Sequence, residues 1–197
     1  MHGEIPLALK IGYTALVALV VPVYLARYGL ANFLWFSDIA LVMTAIALWA
    51  ENRLLASTMA VGVLLPELLW SVSFFGRLAG VRATDLASYM FDTRLSLFLR
   101  SLSLFHVVLP VVLVWMLHAL GYDGRALAAQ TLCAWLVLPM TYWLTEPAKN
   151  INWVFGPGDT PQRRLSPPAY LGLLMLFMPL CVYAPTHFAL ESVFGGR

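Results

Sequence analysis

Apolar residues in this chain do not alternate with polar ones; they run. Six stretches, at 5–27, 33–50, 54–78, 97–120, 125–145 and 169–190, are nearly free of charge. The hydrocarbon core of a bilayer is about 30 Å thick and takes about 20 helical residues to cross. Open strands cannot satisfy their backbone groups in lipid, and the runs lack the two-residue alternation of barrel strands. The pattern therefore predicts an all-α fold: a polytopic integral membrane bundle of six transmembrane helices in a single domain over residues 1–197. Prolines 66, 110, 139, 179 and 185 fall inside the predicted helices. Membrane helices accommodate such residues as kinks, because neighbours re-satisfy the freed carbonyls.

Polar punctuation separates the runs. Glu51-Asn52-Arg53 and Gly121-Tyr122-Asp123-Gly124 read as tight turns. Residues 80–96 mix charges with Tyr89, Met90 and Phe91, as expected of a short amphipathic piece at the interface. Residues 146–168 form a Pro/Gly-rich loop. Of the basic residues, Arg27, Arg77, Arg82, Arg94, Arg100, Lys149, Arg163 and Arg164 lie at or near the first, third and fifth loops. Only Lys10, Arg53, Arg125 and Arg197 lie on the other side. The positive-inside rule then puts the odd loops in the cytoplasm and both termini outside. The first four residues carry no positive region and the first run has no clear cleavage site, so a retained first helix is expected.

Composition adds exclusions. Apolar residues make up 61% and charged residues 11% of the chain, against roughly 45–50% and 25% in soluble domains. A net charge of +2 with no basic stripe gives no footprint for nucleic acid. Cys133 and Cys181 both lie in apolar runs, where a free thiol acts as a small apolar residue. Neither a disulfide framework nor a CxxC metal site is expected.

Ionisable side chains inside hydrocarbon are costly, so they normally face a bundle interior, pair, or line a site. Asp38, Glu67 and His106 are the deeply placed ones. Ser37 and Asp38 open the second helix side by side. A serine is a poor nucleophile unless a base takes its proton, and His106 is the deepest imidazole on offer. Asp38 would then orient the imidazole, as the carboxylate does in a triad. The plainer alternative is a Ser37 bonded within its own helix and a structural Asp38–His106 pair. Ser103 shares a helix face with His106, one turn away. Pro110 cannot donate to the carbonyl of His106 and leaves it free. Glu67, flanked by Leu65, Pro66 and Leu68, offers a proton carrier, a ligand contact or a hydrogen-bond donor to a kinked backbone. Asp38, Glu67 and His106 have the side-chain types of a metal site, but no HExxH or ExxH spacing supports one, and no metal or cofactor is expected. In the fifth loop, Asn150-Ile151-Asn152-Trp153 alternates amides with apolar residues. It suits a turn folded back into the bundle mouth, with amides available to steady an oxyanion.

Three of these places, Phe36-Ser37-Asp38, Leu104-Phe105-His106 and Asn152-Trp153, resemble the androgen-induced-type integral membrane hydrolases. They are also similar to six-helix transmembrane acyltransferases and to bacterial proteins known only as membrane-associated. The resemblance covers about a tenth of the chain together with helix count and order. In the hydrolases, a Thr on an early helix and a His on a later one act on fatty-acid esters. It implies Ser37 as nucleophile and His106 as base, with Ser-Asp standing where the family has Thr. It also implies a bacterial inner membrane as the setting.

The leading expectation is an intramembrane hydrolase or acyltransferase acting on a lipid ester near the cytoplasmic leaflet. Ser37, Asp38 and His106 would be catalytic, and Glu67, Ser103, Asn150, Asn152 and Trp153 would contact substrate. Its partners would be membrane lipids and a lipid or fatty-acyl substrate, with no nucleic acid. The alternatives are a non-enzymatic subunit of a membrane complex, a homo-oligomer among them, and a proton- or ion-coupled carrier using Asp38 and Glu67.

Overall fold

The computed structural model describes residues 4–82, 84–158 and 160–196. These residues are helical, with no strand among them. The first run is α1, Leu7–Tyr28. A 3-10 turn, Leu30–Leu34, leads into α2, Phe36–Ala50. The chain reverses at Glu51, whose left-handed backbone (φ 47°) ends α2. Asn52 then caps α3, Arg53–Leu78, by accepting the Leu55 N–H at 2.8 Å. Next come α4, Leu97–Leu102, and α5, Phe105–Leu120, followed by α6, Ala126–Leu144. The last run holds α7, Pro167–Phe177, and α8, Ala184–Phe194, joined by a π turn at Met178–Tyr183.

Helix α3 is the central post and packs against α2, α5 and α6. Its sequence explains why. From Ala56 to Val63 every residue is buried, and most are small: Ala56, Ser57, Thr58, Ala60 and Gly62. In lipid there is no water to drive helices together, so close approach over small residues and hydrogen bonding must do it. Gly62 is the tightest point. A Cβ there would lie 2.6 Å from the buried side chain of Gln130 on α6. Leu41, Leu48, Leu109, Leu113, Met116 and Leu117 fill the core around α3. Outward positions such as Ile11, Leu19, Leu68, Val111, Leu136 and Leu180 are apolar and exposed, which suits acyl chains rather than water.

Five spans are long and apolar enough to cross a membrane: Leu7–Tyr28, Arg53–Leu78, Leu97–Leu120, Ala126–Leu144 and Pro167–Phe194. The sixth predicted run differs. Its α-helix, Phe36–Ala50, has 15 residues, about 22 Å at 1.5 Å rise. Residues 30–34 wind as a 3-10 turn before it.

Two predicted helices are broken. The fourth run bends at Ser103–Leu104. There the N–H groups of Ser103, Leu104, His106 and Val107 reach back three residues rather than four. Pro110 sits nearly two turns further on, and the Ser103 hydroxyl bonds outside the helix to Tyr24. The sixth run widens into its π turn between Pro179 and Pro185, neither of which can donate to a carbonyl. The Met175 carbonyl, the one Pro179 would have served, accepts the Trp135 indole N–H from α6 at 2.9 Å. A neighbouring helix thus repairs the kink. The segment expected to be a short amphipathic piece holds a short helical turn among its described residues. A 3-10 turn at Ser88–Phe91 seats Ala87 and Met90 against Trp70. Ser73 pins the segment by donating to the Thr84 carbonyl and accepting the Ala87 N–H.

Candidate functional site

The α2–α3 hairpin and α5 all end at one face, so depth can be counted from there. Asp38, Glu67 and His106 each stand roughly 18–21 Å along their helices from that face. Three different helices therefore bring three ionisable groups to one level. Asp38 is 3% and Glu67 2% exposed, and the His106 side chain, at 16%, is partly buried.

The contact at the centre joins His106 to Glu67. His106 Nδ1 lies 2.8 Å from Glu67 Oε2. The imidazole stacks on Trp70 at 4.7 Å between centroids, with Phe105 on its own helix also against it. Two flat apolar surfaces fix the ring plane while the carboxylate fixes its rotation. With Glu67 ionised, the carboxylate could only accept, which would keep the proton on Nδ1 and leave Nε2 with its lone pair.

Asp38 takes another partner. Its Oδ2 accepts the Asn32 side-chain amide at 2.9 Å, while Oδ1 is buried with no partner. Orientation of the imidazole thus falls to Glu67, where Asp38 had been expected. Ser37 is half-buried in the first turn of α2, and no hydrogen bond joins it to His106 among the described residues. Ser103 sits at the helix break, its hydroxyl 2.8 Å from that of Tyr24, with the Tyr89 hydroxyl also beside it. Among the described residues no three His, Cys, Asp or Glu side chains are placed to hold one metal ion.

The fifth loop folds back onto the bundle. Asn150, Asn152 and Trp153 all take left-handed backbones, at φ 38°, 51° and 57°. Such strain costs of order 1–3 kcal/mol per residue and persists only where surrounding bonds hold it. Here they do. The Asn150 amide donates to the Gly156 and Gly158 carbonyls and accepts from Phe155 N–H. Asn152 reaches another element altogether. It accepts the Phe36 N–H at 3.1 Å and donates to the Leu34 carbonyl at 2.6 Å. It therefore caps α2 from the far side of the sequence, in place of Trp35, which makes no side-chain cap. Of the amide N–H groups expected to steady an oxyanion, both of Asn150 and one of Asn152 are bonded to backbone carbonyls. Trp153 is 40% exposed at the rim.

Above Asn32 lies a cleft of about 190 Å³, lined by Tyr28, Asn32, Trp35, Lys149 and Ile151. It opens at the face carrying the odd loops. Asn32, Tyr24 and Trp70 were given no role by the sequence, and Tyr89 was read only as an interfacial residue. Single polar-tipped residues in apolar helices carry no signal until the helices are assembled.

A second buried cluster also escaped notice, at the opposite face. Tyr122 donates to or accepts from His187 Nδ1 at 2.6 Å, and His187 Nε2 lies 3.5 Å from Glu191. The Arg53 guanidinium bonds the Tyr122 carbonyl, and Ser57 accepts the Asp123 N–H at 3.0 Å. At that face charges are matched. The hydrogen bond from Lys10 pulls the Glu51 carboxyl below its usual range, and that from Arg125 does the same to Asp123. On the odd-loop side, Arg94 holds Asp92 down at about 2.

Searches of protein-family models, curated proteins and solved structures find no match to this chain.

Proposed function

We propose that this chain is an intramembrane hydrolase or acyltransferase acting on a lipid ester near the cytoplasmic leaflet, with His106 as its base. The observation that carries the reading is the 2.8 Å contact between His106 Nδ1 and Glu67. It is the carboxylate–imidazole half of an acyl-transfer site, buried among aromatic rings at the level of Asp38.

In this reading Glu67 orients the imidazole, and His106 Nε2 takes the proton of Ser37 as its hydroxyl oxygen attacks the ester carbonyl. The imidazolium then returns that proton to the leaving alcohol. Water, or an acceptor alcohol in a transferase, releases the acyl group from Ser37 by the same two proton movements. Ser37 must close on Nε2 when substrate binds. Catalytic hydrogen bonds often tighten only in the substrate complex. Asp38 adds negative charge that stabilises the imidazolium. Six crossings fit the same scheme. The 3-10 turn at Leu30–Leu34 adds about 10 Å to the roughly 22 Å of α2 and brings the second run to bilayer thickness. The bias of basic residues toward the odd loops favours both termini outside, in a bacterial inner membrane.

The test is turnover of a medium-chain p-nitrophenyl ester by protein in lipid nanodiscs. Ser37→Ala and His106→Ala are each expected to lower turnover at least 100-fold while helicity is unchanged. Full turnover in either variant would sink the reading. A second reading, proton-coupled carriage through Asp38 and Glu67, draws on the unpartnered Asp38 oxygen. It predicts proton flux in liposomes, dependent on Asp38, with no ester turnover.

A further inference from the structure

The cleft above the site has one cation in its lining, Lys149. Lys149 is exposed, and no described acid pairs with it. Of the exposed cations, Arg94 pairs with Asp92 and Arg125 with Asp123, whereas Lys149 is the one that lines the cleft. The other linings are of two kinds. Tyr28 and Trp35 are amphipathic rings of the type that settles at headgroup depth. Asn32 connects the cleft to the catalytic level, because its amide donates to Asp38. The walls are fixed rather than adaptable. Ile151 is buried in the strained 150–153 turn, which Asn152 ties to both Leu34 and Phe36. Outside the cleft, Leu25 and Leu30 are 47% and 77% exposed on the same stretch of chain. A molecule with an anion at Lys149 would therefore have an apolar surface beside it.

We infer that this cleft holds the anionic headgroup of a membrane lipid, its phosphate or carboxylate on the Lys149 ammonium and its acyl chains along Leu25 and Leu30. The inference deepens the ester-hydrolase reading by naming its substrate class, an anionic lipid, and rests on that reading for turnover alone. Asn32 separates the headgroup from the Asp38 carboxylate.

Native mass spectrometry of the full-length protein released from detergent tests this with three probes: didecanoyl phosphatidic acid, didecanoylglycerol and inorganic phosphate. Wild type is expected to hold the phosphatidic acid at least tenfold more tightly than the neutral diacylglycerol. Lys149→Ala should lose that preference, and Arg164→Ala, on the same face but outside the cleft, should keep it. Inorganic phosphate at equal concentration should not displace the lipid. An unchanged preference in Lys149→Ala would overturn the inference. Equal loss in Arg164→Ala would overturn it in favour of diffuse surface charge, and displacement by inorganic phosphate would do so in favour of a free anion. Because the readout is binding, lipid retention without ester turnover would count against the enzymatic reading and leave the headgroup site standing.

Discussion

Replacing Glu67 with alanine is expected to destabilise the protein by about 1–3 kcal/mol, the cost of leaving the partly buried Nδ1–H of His106 without an acceptor. Glu67 is 2% exposed, and its carboxylate is the hydrogen-bond partner of His106 Nδ1. The conservative change separates structure from chemistry. In Glu67→Gln the amide carbonyl still accepts from Nδ1–H, so the ring keeps its orientation and stacking on Trp70. The charge that stabilises an imidazolium is gone. Unfolding by denaturant in mixed micelles should therefore show a large loss for Glu67→Ala and a small one for Glu67→Gln. Ester turnover should fall at least tenfold in both. Wild-type turnover in Glu67→Gln would leave the carboxylate a structural role only.

Asn152 carries the second large effect. Asn152→Ala removes the acceptor for Phe36 N–H and the donor to Leu34 C=O together. A buried polar group left unsatisfied costs about 1–3 kcal/mol. Alanine also tolerates the left-handed backbone at 152 less well than asparagine, by about 1–2 kcal/mol. The expected total is about 3–5 kcal/mol. Asn152→Gly keeps the backbone conformation without the bonds, so it should recover about the strain part and no more. Since Asn152 holds the start of α2, it also sets where Ser37 and Asp38 stand. Turnover should drop even where the protein remains folded, and a variant with full stability and full turnover would show the loop to be a bystander.

Much of this architecture could be read from run length alone. A run of about 20 apolar residues has few other solutions in lipid, and five spans long and apolar enough to cross a membrane are present. Breaks inside runs were less legible. Hydrophobicity continues unchanged through Ser103–Leu104 and through Met178–Tyr183, and what distinguishes them is a lost donor or a hydroxyl bonded to a different helix. The short α2 was hidden for the same reason, since apolar residues wind equally well into the 3-10 turn before it. At the site, the ionisable residues stood out because hydrocarbon makes them expensive. Their pairing did not, because one-dimensional spacing says nothing about register between helices. Glu67 lies 39 and Asp38 68 positions from His106, and the nearer in sequence is the hydrogen-bond partner. The fold-back of the Asn150–Trp153 turn was visible in its alternation of amides and apolar residues. What those amides bind depends on the far end of α2, which no local pattern describes.

The most direct test of the account is covalent labelling of the folded protein by an alkyl fluorophosphonate, with the modified residue located by mass spectrometry. An adduct on Ser37 of the wild type, lost in His106→Ala and slowed in Glu67→Gln, is the predicted result. A folded wild type with no adduct on Ser37, or an adduct that persists at the same rate in His106→Ala, would contradict it.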